Sequence, residues 1–308
     1  MIDRLCEAII EKQNPTVMGL DPLLSYIPES LKAEAAAGCD DPFEAAARAL
    51  FLFNKGLIDA CAPEVAAVKP QVAYYELYSW QGMRAYQETI DYAKRKGLYV
   101  IADVKRNDIG STASAYAKAY LGETELGNCK KPAFDADAAT VSPYLGSDGI
   151  RPFLECCEEY KRMIFLLVKT SNPSSGELPD KVTDGKRVYE LMAEATTAYG
   201  ESYHSQYGYS NCGAVVGATY PEQLAELRKK APHTFFLVPG YGAQGAGAAE
   251  VAGAFDARGL GAVINSSRGI MCAWQKEGCD EREFAEAALR EVHRMKAALL
   301  EVVGGKIG

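Results

Sequence analysis

Eight short apolar segments that alternate with helical segments constrain the fold of this chain more than any other feature. They lie at residues 16–21, 65–71, 98–105, 138–144, 163–171, 212–217, 234–239 and 262–267. Between them, apolar spacing and capping or breaker residues predict helices. Strands that alternate with helices are typical of parallel sheets with crossover helices. The pattern therefore predicts either a closed (β/α)8 barrel or an open, doubly wound sheet.

Polar or glycine residues at the carboxyl ends of the predicted strands favour the barrel. These residues are Asp21, Lys69, Asp103 with Lys105, Ser142, Ser171, Thr219, Gly240 and Arg268. A barrel brings all its strand ends into one ring, whereas an open sheet gathers only those near its switch point. We therefore predict an α/β fold, a (β/α)8 TIM barrel with parallel strands. Residues 1–308 are expected to form one domain, with a short N-terminal helix at 3–13 and a closing helix at 280–303.

Charge and composition limit the partners and the compartment. The formal net charge is −8 and no basic patch is visible, which argues against nucleic acid or an anionic membrane as partner. No stretch approaches the ~20 apolar residues that span a bilayer, and the N-terminus lacks the apolar block of a signal peptide. Nine cysteines without a CxxC motif indicate reduced thiols. We expect a soluble, cytoplasmic protein.

The stretch VIADVKRNDIGST, residues 100–112, places Asp103, Lys105 and Asp108 at the polar end of an apolar strand. Asp103 and Lys105 are two residues apart and should share a strand face. Taken alone, the pair could be a surface ion pair worth ~1 kcal/mol or less. Lys69 at the end of the second strand could also pair with Asp103. Asp108 lies beyond the strand, so it could reach back to the same site or out into a neighbouring subunit.

A second segment has the composition of an anion site. PGYGAQGAG, residues 239–247, follows the seventh strand and precedes a helix predicted at 248–257. Its backbone N–H groups and the helix N-terminus can hold a phosphate, and Arg268 after the eighth strand could supply charge. Phosphate sites in barrels frequently use these two loops. The alternative is that the glycines only shape a tight turn.

The sequence favours neither a metal nor an organic cofactor. Lysines beside the paired carboxylates would repel a divalent cation. The three histidines, His204, His233 and His293, lie away from the predicted strand ends. There is no credible Ser/His/Asp set and no dinucleotide fingerprint after the first strand.

Together these motifs resemble the orotidine 5'-phosphate decarboxylase family in its longer bacterial form. The matching segments are GLD at 19–21, VKP at 68–70, DVKRNDIGST at 103–112, KTSNP at 169–173, VPGYGAQG at 238–245 and NSSRGI at 265–270. DxKxxD alone would indicate only the wider superfamily, which includes a sugar-phosphate decarboxylase of different mechanism. PGYGAQG and TSNP favour the nucleotide enzyme. Asn107 departs from the family pattern, where we expect a glycine; both residues tolerate left-handed backbone.

The resemblance implies a homodimeric barrel that converts orotidine 5'-phosphate to UMP and carbon dioxide without a cofactor. This reaction is the last step of de novo pyrimidine nucleotide synthesis. Lys69, Asp103, Lys105 and Asp108 correspond to the family's charged tetrad. Asp108 would act in the partner subunit's site, with Ile109 and Thr112 beside it, and Lys105 would protonate C6 of the pyrimidine.

The remaining predicted contacts also follow from the resemblance. Asp21 and Lys69 would hold ribose hydroxyls, Ser171 the pyrimidine edge, and Gln244 and Arg268 the phosphate. Two alternatives stay open. One is a sugar-phosphate decarboxylase, isomerase or epimerase on the same barrel, and the other is a non-catalytic UMP-binding protein.

Overall fold

Eight parallel strands close into a barrel, which confirms the predicted fold class. The computed structural model describes residues 2–203, 205–242 and 245–308. Each strand pairs with its neighbours in chain order, and the eighth closes on the first. The strands are β1 (Thr16–Leu20), β2 (Ala67–Pro70), β3 (Tyr99–Arg106), β4 (Ala138–Val141), β5 (Met163–Lys169), β6 (Cys212–Val216), β7 (Phe236–Val238) and β8 (Ala262–Ser266).

Helices surround the barrel and connect its strands. They span Ile2–Lys12, Glu29–Ala36, Pro42–Cys61, Ala73–Glu76, Ser79–Arg95, Gly110–Leu121, Ser147–Tyr160, Val188–Tyr199, Pro221–Lys230, Ala248–Val251, Arg268–Met271, Ala273–Glu277 and Phe284–Val302. Short hairpins join Thr124–Leu126 to Cys129–Lys131 and Val182–Thr183 to Lys186–Arg187. None of the described helices is long and apolar enough to cross a membrane. All nine cysteines are free thiols, as predicted.

The N-terminal helix closes the amino end of the barrel. It spans Ile2–Lys12, within one residue of the predicted 3–13, and buries Leu5 and Ile9 against the barrel interior. Arg4 Nη1 donates to Oδ1 of the fully buried Asp137, 2.8 Å away. The other oxygen of Asp137 accepts the N–H of Val100 in β3, at 2.9 Å. The helix is thereby fixed to two strands at the end of the barrel opposite the predicted site.

Two predicted helix boundaries are wrong. The closing helix begins at Phe284 and not at residue 280, because Asp280 caps a separate 3-10 turn, Glu281–Glu283, by accepting the N–H of Arg282. The helix predicted at 248–257 is a four-residue helix, Ala248–Val251, followed by a 3-10 turn. In that turn Gly253 lies against Ala225 so closely that an added Cβ would be 2.7 Å from the Ala225 Cβ.

Candidate active site

The polar residues of the barrel interior lie in a layer at its carboxyl end. Side chains alternate along each strand, so every second residue faces inward. Nearer the amino end the interior is apolar and fully buried, with Val17, Ile101, Phe165 and Val263 in one cluster. In the layer toward the carboxyl end the side chains are polar: Lys69, Asp103, Thr140 and Asn265. Catalytic groups of TIM barrels occupy this end.

Asp103 is the centre of that layer, and its carboxylate receives three donors. Lys69 Nζ lies 2.5 Å from Oδ2, and Lys105 Nζ lies 2.6 Å from Oδ1. The hydroxyl of Thr140 donates to Oδ1 at 2.9 Å. Asp103 is only 6% exposed and Lys69 only 4%. Asp103 is therefore not part of a surface ion pair.

The buried charges are mutually stabilised. Burial raises the pKa of Asp103, but the ammonium groups of Lys69 and Lys105 outweigh burial and hold that pKa below its usual range. Burial lowers the pKa of Lys69, but Asp103 and then Asp21 outweigh it, so the net pKa is above the usual value. Both groups are charged at neutral pH.

The backbone of β3 is irregular where the charges meet. Lys105 has φ +48°, in the left-handed region, and the register between β3 and β4 shifts between Ala102 and Arg106. The Thr140 hydroxyl oxygen accepts both the Val104 and the Lys105 N–H groups, each at 3.0 Å. Lys105 lies within the strand as predicted, and its ammonium meets Asp103, but its left-handed backbone interrupts the regular alternation of side chains. A left-handed backbone at a non-glycine residue costs about 1–3 kcal/mol of folding free energy and is retained only where neighbouring contacts hold it.

Thr140 is a site residue that the sequence analysis missed. It holds the Lys105 backbone and bonds the Asp103 carboxylate with the same hydroxyl. The available signal was a single hydroxyl residue inside the otherwise apolar segment Ala138–Val141, whose residues are all buried. Buried polar side chains are normally hydrogen-bonded, so such a residue indicates a specific partner.

Two adjoining cavities open above these charges. The first, of about 250 Å³, has apolar walls from Leu167, Val215 and Leu237, with Ser171 at its edge. The second, of about 350 Å³, is lined by polar and aromatic groups that include Asp21, Tyr26, Tyr74, Tyr241, Asn265 and Arg268. Lys69, Asp103 and Pro239 line both cavities, so the two are parts of one site. The structure thus brings together six of the predicted residues: Asp21, Lys69, Asp103, Lys105, Ser171 and Arg268.

Asp21 follows β1 directly and faces Lys69 across the larger cavity. Its Oδ1 is 4.0 Å from Lys69 Nζ, and Ser267 lines the same cavity. Burial raises the pKa of Asp21 above its usual value, because Lys69 offsets only part of the desolvation. Asp21 is therefore the carboxylate of this cavity that takes up a proton more readily than an ordinary aspartate.

Asp108, Ile109 and Thr112 do not line these cavities within the same chain. Their loop is tied to the segment after β4, because Asn107 Nδ2 donates to the Ser142 carbonyl and Asn107 Oδ1 accepts the Asp108 N–H at 2.7 Å. Asn107 thus acts through its side-chain bonds, and the left-handed residues on either side of it are Lys105 and Gly110. In the described part of the chain Asp108 forms no ion pair, and Ile109 is 56% exposed.

The glycine-rich loop after β7 differs from the predicted phosphate cradle. Gly240 and Gly242 have φ of +103° and +75°, and Gly242 N–H donates to the Ala246 carbonyl at 2.8 Å. Gly247 N–H donates to Glu250 Oε2 at 2.7 Å, so a carboxylate already occupies the predicted helix N-terminus. The Gly247 N–H is therefore already paired within the chain, and the prediction that this loop holds a phosphate stays a prediction. Gln244 lies outside the described residues.

Among the described residues, no group of three or more His, Cys, Asp or Glu side chains is arranged to hold a metal ion. The two carboxylates of the site face lysines instead.

Comparison with known proteins identifies the family. Residues 53–278 match the model of the orotidine 5'-phosphate decarboxylase / HUMPS family. The chain belongs to this family. It is 47% identical over 285 residues to the orotidine 5'-phosphate decarboxylase of Rhodopirellula baltica, covering 92% of this chain and 91% of that protein.

Other members of the family match over almost the whole chain. The Clostridium novyi orotidine 5'-phosphate decarboxylase is 41% identical over 300 residues, with 97% of this chain and 98% of that protein covered. The solved structure of Leishmania donovani OMP decarboxylase is 30% identical and superimposes with a TM-score of 0.70, covering 96% of this chain and 98% of that one. The family resemblance drawn from the motifs is therefore confirmed.

Removing the central carboxylate is expected to change how stability depends on pH. In the unchanged protein the raised pKa of Lys69 contributes stability that is present below about pH 10.4 and is lost as pH rises through the folded-state value. In Asp103→Asn, burial instead lowers the pKa of Lys69, and the resulting destabilisation disappears as pH rises toward about 10.4. The difference in unfolding free energy between the two proteins should therefore narrow above about pH 8, as measured by urea denaturation.

The matched control lacks the buried amine. Lys69→Met and the double variant Lys69→Met/Asp103→Asn should differ in stability by an amount that does not change over the same pH range. A difference that stays constant with pH in both pairs would contradict the coupling between Lys69 and Asp103.

Proposed function

We propose that this chain decarboxylates orotidine 5'-phosphate to UMP and carbon dioxide, without a metal or organic cofactor. The observation that carries the proposal is the buried Asp103 carboxylate held between Lys69 and Lys105 beneath the two-part cavity. Membership of the decarboxylase family supports the same conclusion. The reaction is the last step of de novo pyrimidine nucleotide synthesis.

The two cavities match the two ends of the proposed substrate. The smaller, with its apolar walls of Leu167, Val215 and Leu237, suits a flat pyrimidine ring, whose edge can bond Ser171. The larger suits the ribose and the phosphate. There Asp21 and Lys69 would bind ribose hydroxyls, and Arg268 would bind the phosphate together with Gln244.

Lys105 would supply the proton of the reaction. When the bond between C6 and the carboxylate breaks, the electron pair stays on C6 in the ring plane, where it cannot delocalise into the π system. An ammonium group aimed at that carbon stabilises the developing charge. It then transfers its proton to C6 and is left as an amine that water reprotonates. The Lys105 side chain is 46% exposed, so it can reach both substrate and solvent.

Asp103 and the distant phosphate would supply the rest of the barrier reduction. A carboxylate that stays ionised beside the substrate carboxylate repels it, and this repulsion decreases as carbon dioxide leaves. The barrier must fall by ~20 kcal/mol, toward the upper end of enzymatic accelerations. Binding energy from the phosphate can contribute because it is realised away from the reacting carbon. Lysines on both sides of Asp103 disfavour a divalent cation at this position.

The active unit would be a homodimer in which Asp108 acts in the partner subunit's site. Apolar side chains are exposed in the loops after three neighbouring strands, β2, β3 and β4: Leu77 at 60%, Trp80 at 65%, Ile109 at 56%, Tyr144 at 78% and Leu145 at 48%. Exposed apolar side chains on neighbouring segments are typical of an interface. Asp108 directly precedes the exposed Ile109 and would complete the alternating charges of the partner's site.

We further propose that each subunit is a single domain of the cytoplasm. The helices at both ends of the chain pack on the same barrel. Nine free thiols suit a reducing compartment.

The direct test of the proposed function is turnover with a chelator present. Purified protein should convert orotidine 5'-phosphate to UMP, followed by the change in pyrimidine absorbance, and Lys105→Ala should lower kcat by about 10³-fold or more. The matched control is Lys186→Ala, which removes a lysine from an exposed ion pair with Glu194 and should leave kcat unchanged. Activity that requires added Mg²⁺, or turnover of pentulose phosphates alone, would contradict the proposal.

Mixing two inactive variants tests the shared site. Lys105→Ala and Asp108→Ala should each be nearly inactive. A heterodimer of the two carries one site with both changes and one intact site, so random pairing should restore about a quarter of full activity. If subunit exchange is confirmed by mass spectrometry and no activity returns, Asp108 does not act across the interface.

A further inference from the structure

A buried asparagine in the larger cavity has a hydrogen-bond acceptor without a partner. Asn265 lies near the carboxyl end of β8, is 6% exposed, and lines the cavity together with Asp21 and Arg268. Its Oδ1 is enclosed and accepts no hydrogen bond from the described residues. Leaving such an acceptor unpaired costs about 1–3 kcal/mol, and because Asn265 lines a cavity of substrate size, a bound ligand can supply the donor.

The surrounding hydrogen bonds fix the orientation of this amide. Asn265 Nδ2 donates to the Ser267 hydroxyl oxygen, 3.2 Å away. Because Nδ2 faces Ser267, the carbonyl oxygen Oδ1 is left for another donor.

A glycine on β1 makes room for this arrangement. A Cβ added at Gly19 would be 1.9 Å from Ser267 Oγ and 3.0 Å from Asn265 Oδ1. Any side chain there would displace Ser267 and crowd the asparagine. The GLD motif thus supplies both the Asp21 carboxylate and the space that Ser267 and Asn265 occupy.

We propose that Asn265 is a further substrate-binding residue, whose Oδ1 accepts a hydrogen bond from a ribose hydroxyl. The inference rests on the proposed function, since it takes a pyrimidine ribonucleotide as the ligand. The phosphate and the substrate carboxylate offer no donor when ionised. The ring N–H belongs to the apolar cavity, which Asn265 does not line. The ribose hydroxyls are the remaining donors, and Asp21 and Lys69 of the proposed ribose site line the same cavity as Asn265.

Ribose analogues test this contact directly. A site built to bond a hydroxyl rejects the analogue that lacks it. We expect Asn265→Ala to lower kcat/KM for orotidine 5'-phosphate about 10-fold. For one of the two analogues, the 2'-deoxy or the 3'-deoxy substrate, the same change should lower kcat/KM less than about 3-fold. The analogue whose kcat/KM falls less identifies the ribose hydroxyl that Asn265 binds. Equal losses on all three substrates would overturn the inference, because a purely structural role affects them alike.

The matched control is a second buried asparagine outside the site. Asn54, on the helix Pro42–Cys61, is also fully buried with an unpartnered Oδ1, and its Nδ2 donates to the Tyr75 hydroxyl at 2.9 Å. Asn54→Ala should lower the thermal stability and leave the ratios among the three substrates unchanged.

A binding measurement separates this inference from the proposed function. If the unchanged protein does not decarboxylate the substrate, the proposed function fails, and calorimetry with UMP and its 2'-deoxy and 3'-deoxy analogues then tests Asn265 alone. Asn265→Ala should weaken UMP binding about 10-fold and the binding of one analogue much less. Equal weakening for all three ligands, or no UMP binding by the unchanged protein, would overturn the inference.

Discussion

The site depends on one interaction, the contact of the Asp103 carboxylate with two ammonium groups. A lone buried carboxylate would be neutral and a lone buried lysine would lose its proton, because burial disfavours the charged form of each. Lys69 and Lys105 keep Asp103 ionised, and Asp103 keeps Lys69 protonated. In the proposed mechanism, the charge that would repel the substrate carboxylate and the charges that would stabilise the carbanion are thus maintained by each other.

The barrel provides the geometry for this contact. Closure places β2, β3 and β4 side by side, so Lys69, Asp103 and Thr140 face one another from three strands. Thr140 holds the left-handed backbone at Lys105, which allows the ammonium to bond Asp103 from the cavity side. The fold contributes rigidity, and the local strain at Lys105 is retained because both ends of the segment are hydrogen-bonded.

Sequence patterns predicted the barrel and six residues of the site, because strand periodicity and strand-end position are local properties. The bulge at Lys105 and the role of Thr140 depend on the register between β3 and β4. The position of Asn265 and Ser267 depends on the approach of β8 to β1. Neither is encoded locally. The helix predicted at 248–257 is longer than the observed one because its alanines favour a helix, whereas tertiary packing holds Gly253 against Ala225. The role proposed for Asp108 would depend on a second chain.

The ionisation of Asp103 in the folded protein is the most direct test of this account. Carbon-13 NMR of protein labelled at the aspartate carboxyl carbons can follow it, with the Asp103→Asn spectrum as the assignment. The account predicts that the Asp103 signal remains that of a carboxylate as the pH is lowered through about 3.9, the ordinary value for aspartate. A signal that titrates at or above about pH 4 in the folded protein would contradict it.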